Sequence, residues 1–144
     1  MNEFIKLAET DEEIQSCFPV MAELRPHVPA AEFLSRIKRQ QLLADYGLAF
    51  ISTGEVKAVA GFRVSECLAW GKFMYVDDLV ARSEERSKGF GGKLLDWLIA
   101  YAREHQCDQF HLDSGVQRFE AHRFYLSKRM IIEGHHFSLK LSNQ

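Results

Sequence analysis

No apolar run in this 144-residue chain approaches the roughly 20 residues that a membrane-crossing helix needs. Cysteine is scarce as well. Cys17, Cys67 and Cys107 are odd in number and lack CxxC spacing, so neither a disulfide framework nor a zinc site is suggested. Neither sign of charge dominates: 18 Lys and Arg stand against 20 Asp and Glu, a formal net charge of −2. That balance argues against a bulk electrostatic grip on nucleic acid. The opening Met1-Asn-Glu-Phe-Ile-Lys-Leu lacks the basic head and apolar middle of a signal peptide. A reducing cytoplasmic setting is therefore the expectation. The six histidines include no HExxH arrangement, so no metal is expected.

With 47% apolar and 26% charged residues, the chain has the composition of a globular protein. Its length suits one domain over 1–144, with no linker or repeat. Glu3 to Ala8 alternates like a strand, and Thr10-Asp-Glu-Glu13 is a capping-box start for a helix reaching about Leu24. Pro26 and Pro29 break the chain before a second helix from Ala30 to Leu43. Leu48–Ser52 and Val56–Ser65 read as a hairpin around Thr53-Gly54-Glu55. Phe73–Val80 is the next strand. Phe90–His105 comes next as a helix, with Phe90, Leu94, Trp97, Leu98 and Tyr101 on one face. Gln109–Asp113 reads as a strand, Phe119–Lys128 as a helix, and Met130–Glu133 with Phe137–Leu141 as a closing hairpin.

The most informative stretch runs from Tyr75 to Leu95. An apolar strand leads through a charged loop into Gly89-Phe90-Gly91-Gly92-Lys93, where a helix begins. A helix start has unpartnered N–H donors and partial positive charge, which suits a phosphate. Glycines let an anion approach the backbone, and Arg86 and Lys88 add charge at the same mouth. A P-loop needs glycine five residues before Gly92 and Ser or Thr after Lys93, but Ser87 and Leu94 stand there. The dinucleotide fingerprint needs a third glycine at Leu94 and fails too. Without a partner family, these glycines would read only as a loosened helix start.

Arg86-x-x-Gly89-x-Gly91 resembles the acetyl-CoA motif, Gln/Arg-x-x-Gly-x-Gly/Ala, of the GCN5-related N-acetyltransferases. Leu79-Val80-Ala81 before it, the helix after it and Ala121-x-x-Phe124-Tyr125 downstream resemble that family in order and spacing. The resemblance implies an α/β (α+β) acyltransferase fold. Such a fold has a twisted, mostly antiparallel sheet of six to seven strands, helices on both faces and a splayed central strand pair. It implies acetyl-CoA as cosubstrate. Leu79, Val80 and Ala81 would offer backbone groups to the pantetheine arm. Arg86, Ser87, Lys88, Gly89, Phe90, Gly91, Gly92 and Lys93 would cradle the pyrophosphate, and Ala121 and Phe124 would lie near the cofactor.

Acetyl transfer to an amine also needs a proton donor for the departing thiolate and an acceptor for the amine's proton. By resemblance Tyr125 is the acid; as a bare residue it reads equally as helix core. Asp77 and Asp78 point to opposite faces of an unbroken strand, so only one would look into a cleft. The segment Val76-Asp-Asp-Leu-Val resembles the diamine acetyltransferase branch, which implies Asp77 as base. Asp78 would brace neighbouring backbone, and His136 is the next candidate. Arg25 and His27 fall between the first helices, where an acceptor loop is expected. Cys107, at a helix end, reads as packing and not as a nucleophile.

Two positions depart from the family pattern: Arg118 where Asn is common, itself able to reach a phosphate, and Arg129-Met130 where Gly-Phe is common. The resulting expectation is direct transfer from acetyl-CoA to a primary amine of a small, polyamine-like molecule. The alternatives are a protein N-terminal or lysine acetyltransferase, or an acyl-CoA-binding regulatory module without turnover. A homodimer is the oligomer that the resemblance implies, and no nucleic-acid or membrane partner is expected.

Overall fold

A computed structural model describes residues 2–142. Contacts divide the chain into a unit ending at Leu112 and a unit beginning at Asp113. The first contains all five strands. β1 (Phe4–Leu7), β2 (Tyr46–Ser52), β3 (Val56–Cys67) and β4 (Gly71–Ala81) pair antiparallel in sequence order, and β5 (Gln109–Leu112) joins β4 in parallel. The Thr53–Glu55 hairpin turn forms where the sequence places it, with Gly54 at φ 100°.

Helices cover both faces of this sheet, and each face has its own core. On one side α1 (Asp11–Ser16), α2 (Phe18–Leu24) and α3 (Ala30–Ala44) bury Ile14, Val20, Phe33 and Ile37 against Leu48, Phe50, Val59 and Val80. On the other, α4 (Phe90–Glu104) lays Leu94, Leu98 and Ala102 on Ile51, Ala60, Phe62, Met74 and Val76. The capping box at α1 is complete: Thr10 accepts from the Glu13 amide, and Glu13 accepts from the Thr10 amide. The expected single helix from Thr10 to Leu24 is two, separated at Cys17. Pro19 explains the break, since it has no N–H to continue the ladder.

One β-bulge matters for function. β3 and β4 pair Gly61 with Asp78 but Phe62 with Val76, so Asp77 is an extra residue. Directly opposed residues share a face, and Tyr46 and Leu48 belong to the α1–α3 core. Arg63 and Tyr75, in line with Tyr46, and Gly61 and Asp78, in line with Leu48, therefore look to that side. The expectation that Asp77 and Asp78 diverge assumed unbroken alternation; the bulge removes it.

The second unit contains α5 (Phe119–Ser127), and none of its described residues is buried. The closing hairpin is absent: 130–142 forms no strand, so the sheet has five strands and not six to seven. Ile131, Ile132, Phe137, Leu139 and Leu141 are exposed. Phe137 to Leu141 does alternate like a strand, but alternation makes a strand only where a neighbouring backbone pairs with it. Among the described residues, no helix is long and apolar enough to cross a membrane.

Candidate functional site

The glycine-rich turn forms as an exposed helix start. After β4, Arg82 donates from Nε to the Val56 carbonyl at 2.7 Å, and a 3-10 turn spans Ser83–Lys88. Gly89 closes that turn at φ 81°, a left-handed conformation that disfavours any side chain. Lys93 N–H makes the first bond of α4 to the Gly89 carbonyl, and no side chain caps the helix. The amides of Phe90, Gly91 and Gly92 therefore precede the intrahelical ladder. A Cβ at Gly89 would meet nothing within 4 Å, and one at Gly91 would come no closer than 3.9 Å to Ala81. That combination of free donors, positive helix end and open space fits a pyrophosphate.

Charged side chains fasten the turn. Buried Lys57 donates to Glu85 Oε1 at 2.8 Å and to Glu55 at 2.9 Å, while Glu85 Oε2 is buried without a partner. Glu23 of α2 accepts from the Ser83 amide at 3.0 Å and lies 3.6 Å from Arg86. Lys93 pairs with Glu3 at 2.9 Å. Arg86, Lys88 and Lys93 are all exposed at the mouth. The side chain of Ser87 lies outside the described part of the structure.

Beside the turn, the sheet opens. β4 pairs with β5 only from Phe73 to Val76, so Asp77 through Ala81 extend past the last parallel pair. Leu79, Val80 and Ala81 remain paired to β3 on their other side. A ligand backbone can add to such an edge as a strand would.

Both aspartates are matched by arginines. Asp77 takes two hydrogen bonds from Arg63, at 2.7 and 2.9 Å, and Arg63 also lies over the Tyr75 ring. Asp78, 14% exposed, accepts from Arg25 Nε and from the Tyr46 hydroxyl, each at 2.8 Å. Arg25 donates a further bond to the Asp77 carbonyl. Burial, with Asp78 alongside, pushes the Tyr46 phenol well above its ordinary pKa. The contacts of Asp78 with Arg25 and Tyr46 border a cavity of about 230 Å³ also walled by His27, Phe33, Arg36, Ile37 and Gln40, and the Asp77–Arg63 pair lies outside its lining. A larger hollow of about 690 Å³, which shares Tyr46 with this cavity and reaches Asp45 and His105, holds none of the expected site residues.

With a helix start open to anions beside a half-open strand pair, comparison with known proteins becomes decisive. The Acetyltransferase (GNAT) family matches residues 7–129. The chain belongs to this family. Its resemblance to an uncharacterized N-acetyltransferase, YhdJ of Bacillus subtilis, is 32% identity over 125 residues, or 86% of this chain and 88% of that protein. A GNAT family acetyltransferase from Staphylococcus aureus shares the fold with a TM-score of 0.82 at 18% identity, covering 98% of this chain and all of that one. The glucosamine-6-phosphate N-acetyltransferase of Arabidopsis thaliana superposes with a TM-score of 0.78 at 19% identity, covering 99% of this chain and all of that one. N-acetyl transfer is accordingly the class of activity.

The remaining GNAT positions fall in the second unit. Arg118 precedes α5, and Ala121, Phe124 and Tyr125 lie on it, with the Phe124 and Tyr125 rings 5.4 Å apart. Burial raises the Tyr125 phenol above its ordinary pKa, and Arg118 partly offsets that. His136 lies 3.1 Å from Asp113. Among the described residues, no group of three or more His, Cys, Asp or Glu could hold a metal ion. Tyr46, Arg63, Lys57, Glu23 and Glu85 escaped the sequence reading. Only Lys57, a charge inside the apolar Val56–Phe62 run, left a visible signal.

Proposed function

We propose that this protein is an acetyl-CoA-dependent N-acetyltransferase acting on a primary amine of a small molecule. The observation that carries the reading is the uncapped start of α4 next to the unpaired half of β4. When bound, acetyl-CoA supplies an activated thioester. The amides of Phe90, Gly91 and Gly92, with Arg86, Lys88 and Lys93, hold its pyrophosphate. Leu79, Val80 and Ala81 pair with its pantetheine arm, and a main-chain N–H there polarises the carbonyl.

Amine and thiolate need opposite proton transfers. Asp77 accepts the amine's proton through water while Arg63 orients its carboxylate. Tyr125 donates to the departing thiolate, supported by the family's Ala-x-x-Phe-Tyr spacing. The acidic pair alone would favour a polyamine-like acceptor. Arg63 and Arg25 offset both charges, so the acceptor's second functional group has to be sought elsewhere.

Calorimetric titration with acetyl-CoA, followed by thiol release against a panel of amines and peptides, tests this reading. Binding plus release with small amines is the expected result. Binding without any release would favour an acyl-CoA-sensing module, and absence of binding would refute the cradle. Within an active enzyme, Tyr125→Phe lowers kcat by roughly 10²-fold with acetyl-CoA affinity kept. Asp77→Asn removes the acid limb of the kcat/KM pH profile; an unchanged profile would move the base to Asp78 or His136.

A further inference from the structure

The 230 Å³ cavity has walls of unlike charge. We propose that it receives an acceptor carrying its amine at one end and an anionic group, carboxylate or phosphate, at the other. The proposal rests on the transferase reading above and names the substrate class for it.

Asp78 stands at the sheet end of the cavity, with each oxygen already accepting one bond. It retains lone pairs for an ammonium or amine, and Arg25 and Tyr46 fix its direction. Facing it, α3 presents Phe33, Arg36, Ile37 and Gln40, the i, i+3, i+4, i+7 stripe that a helix turns toward its core. An ordinary core stripe would be apolar throughout. Here Phe33 and Ile37 are buried, whereas Arg36 and Gln40 bring polar groups to the same cavity.

Arg36 uses Nε and Nη2 on a single oxygen of Glu32, which leaves Nη1 available. His27 lines the cavity from the turn between α2 and α3 and has no hydrogen bond or ion pair among the described residues. Two guanidiniums and an imidazole thus line the cavity with one carboxylate; Arg25 offsets Asp78, and exposed Glu32, outside the lining, offsets part of Arg36. A diamine entering here would bring its second cation toward Arg36, a like-charge approach that disfavours it. An anionic tail would instead meet a planar donor fork suited to carboxylate and phosphate. Met21, Val28, Phe33 and Ile37 provide the apolar middle.

Three probes with three or four atoms between the amine and the second charged group separate the possibilities: 4-aminobutanoate, 3-aminopropyl phosphate and 1,4-diaminobutane. Binding to the CoA-saturated protein is measured by calorimetry, and turnover by thiol release. An anionic probe should bind and react with a KM roughly ten-fold below that of the diamine. The better of the two anionic probes identifies the tail. Arg36→Gln should raise that KM roughly ten-fold, lower the diamine KM, leave the acetyl-CoA KM in place, and keep the wild-type circular dichroism. Arg36→Lys should recover part of the loss.

Preference for the diamine, or indifference to Arg36→Gln, would overturn the proposal while leaving the transferase intact. Anion-dependent binding that Arg36→Gln abolishes, with no thiol release from any probe, would uphold the pocket and remove the transferase reading. Failure of all three probes to bind overturns the pocket assignment.

Discussion

The Tyr46 hydroxyl sits directly over Gly61, where a Cβ would come within 1.7 Å of its oxygen and 2.6 Å of Asp78 Oδ2. A glycine here is a space requirement, not a turn. Tyr46 is 5% exposed, and its ring can give way only toward the hollows it lines. Gly61→Ala should force the hydroxyl off Asp78 and lower stability by roughly 2–4 kcal/mol, the sum of an overpacking strain and a lost hydrogen bond. Tyr46→Phe removes only the bond and should cost about 1 kcal/mol. Urea unfolding of both variants checks the difference, and equal losses would mean that the lost hydroxyl bond, with no overpacking, is the whole effect of the added methyl. Nothing in Ala60-Gly61-Phe62 announces this. A strand glycine looks alike whether it faces solvent or a phenol, because the neighbour arrives from β2.

Elements governed by local chemistry were the ones the sequence displayed. The α1 start is an example: Thr10 and Glu13 satisfy each other's amides across three residues, and Lys6 adds an ion pair to Glu13. Lys6 and the Glu9 and Thr10 amides hold the Glu13 carboxyl at about 2, below its ordinary 4.5. A depressed folded pKa means stability that is present above the unfolded value and lost as pH falls through the folded one. Glu13→Gln should therefore be less stable than the parent above pH 5, with the gap closing between about 4.5 and 2. Thermal melts across that range test it; a constant gap would show that the amide bonds, not the charge, matter. The start of α4 was equally legible from its glycines. The bulge in β4 and the missing C-terminal hairpin were not, since each depends on how a strand registers with, or finds, a distant partner.

At the scale of the molecule, every buried residue among those described precedes Asp113. Amides of β2, β3 and α4 should resist hydrogen exchange up to global unfolding, while those of 113–142 exchange far earlier. Exchange mass spectrometry decides this, and equal protection in both regions would contradict the burial pattern. The family and the glycine turn before α4 were readable because both are written in contiguous residues. The pairing of Asp77 with Arg63 and of Asp78 with Arg25 was hidden, because side chains far apart in sequence meet only after the sheet has formed. Deleting Asp77 would leave Val76 opposite Phe62 and Asp78 opposite Gly61, the pairings they already have, so Leu79, Val80 and Ala81 would keep their faces in plain alternation. Loss of that one codon should therefore spare both cores and remove only the Arg63 ion pair, so among folded descendants β4 should shorten at the bulge before it shortens anywhere else.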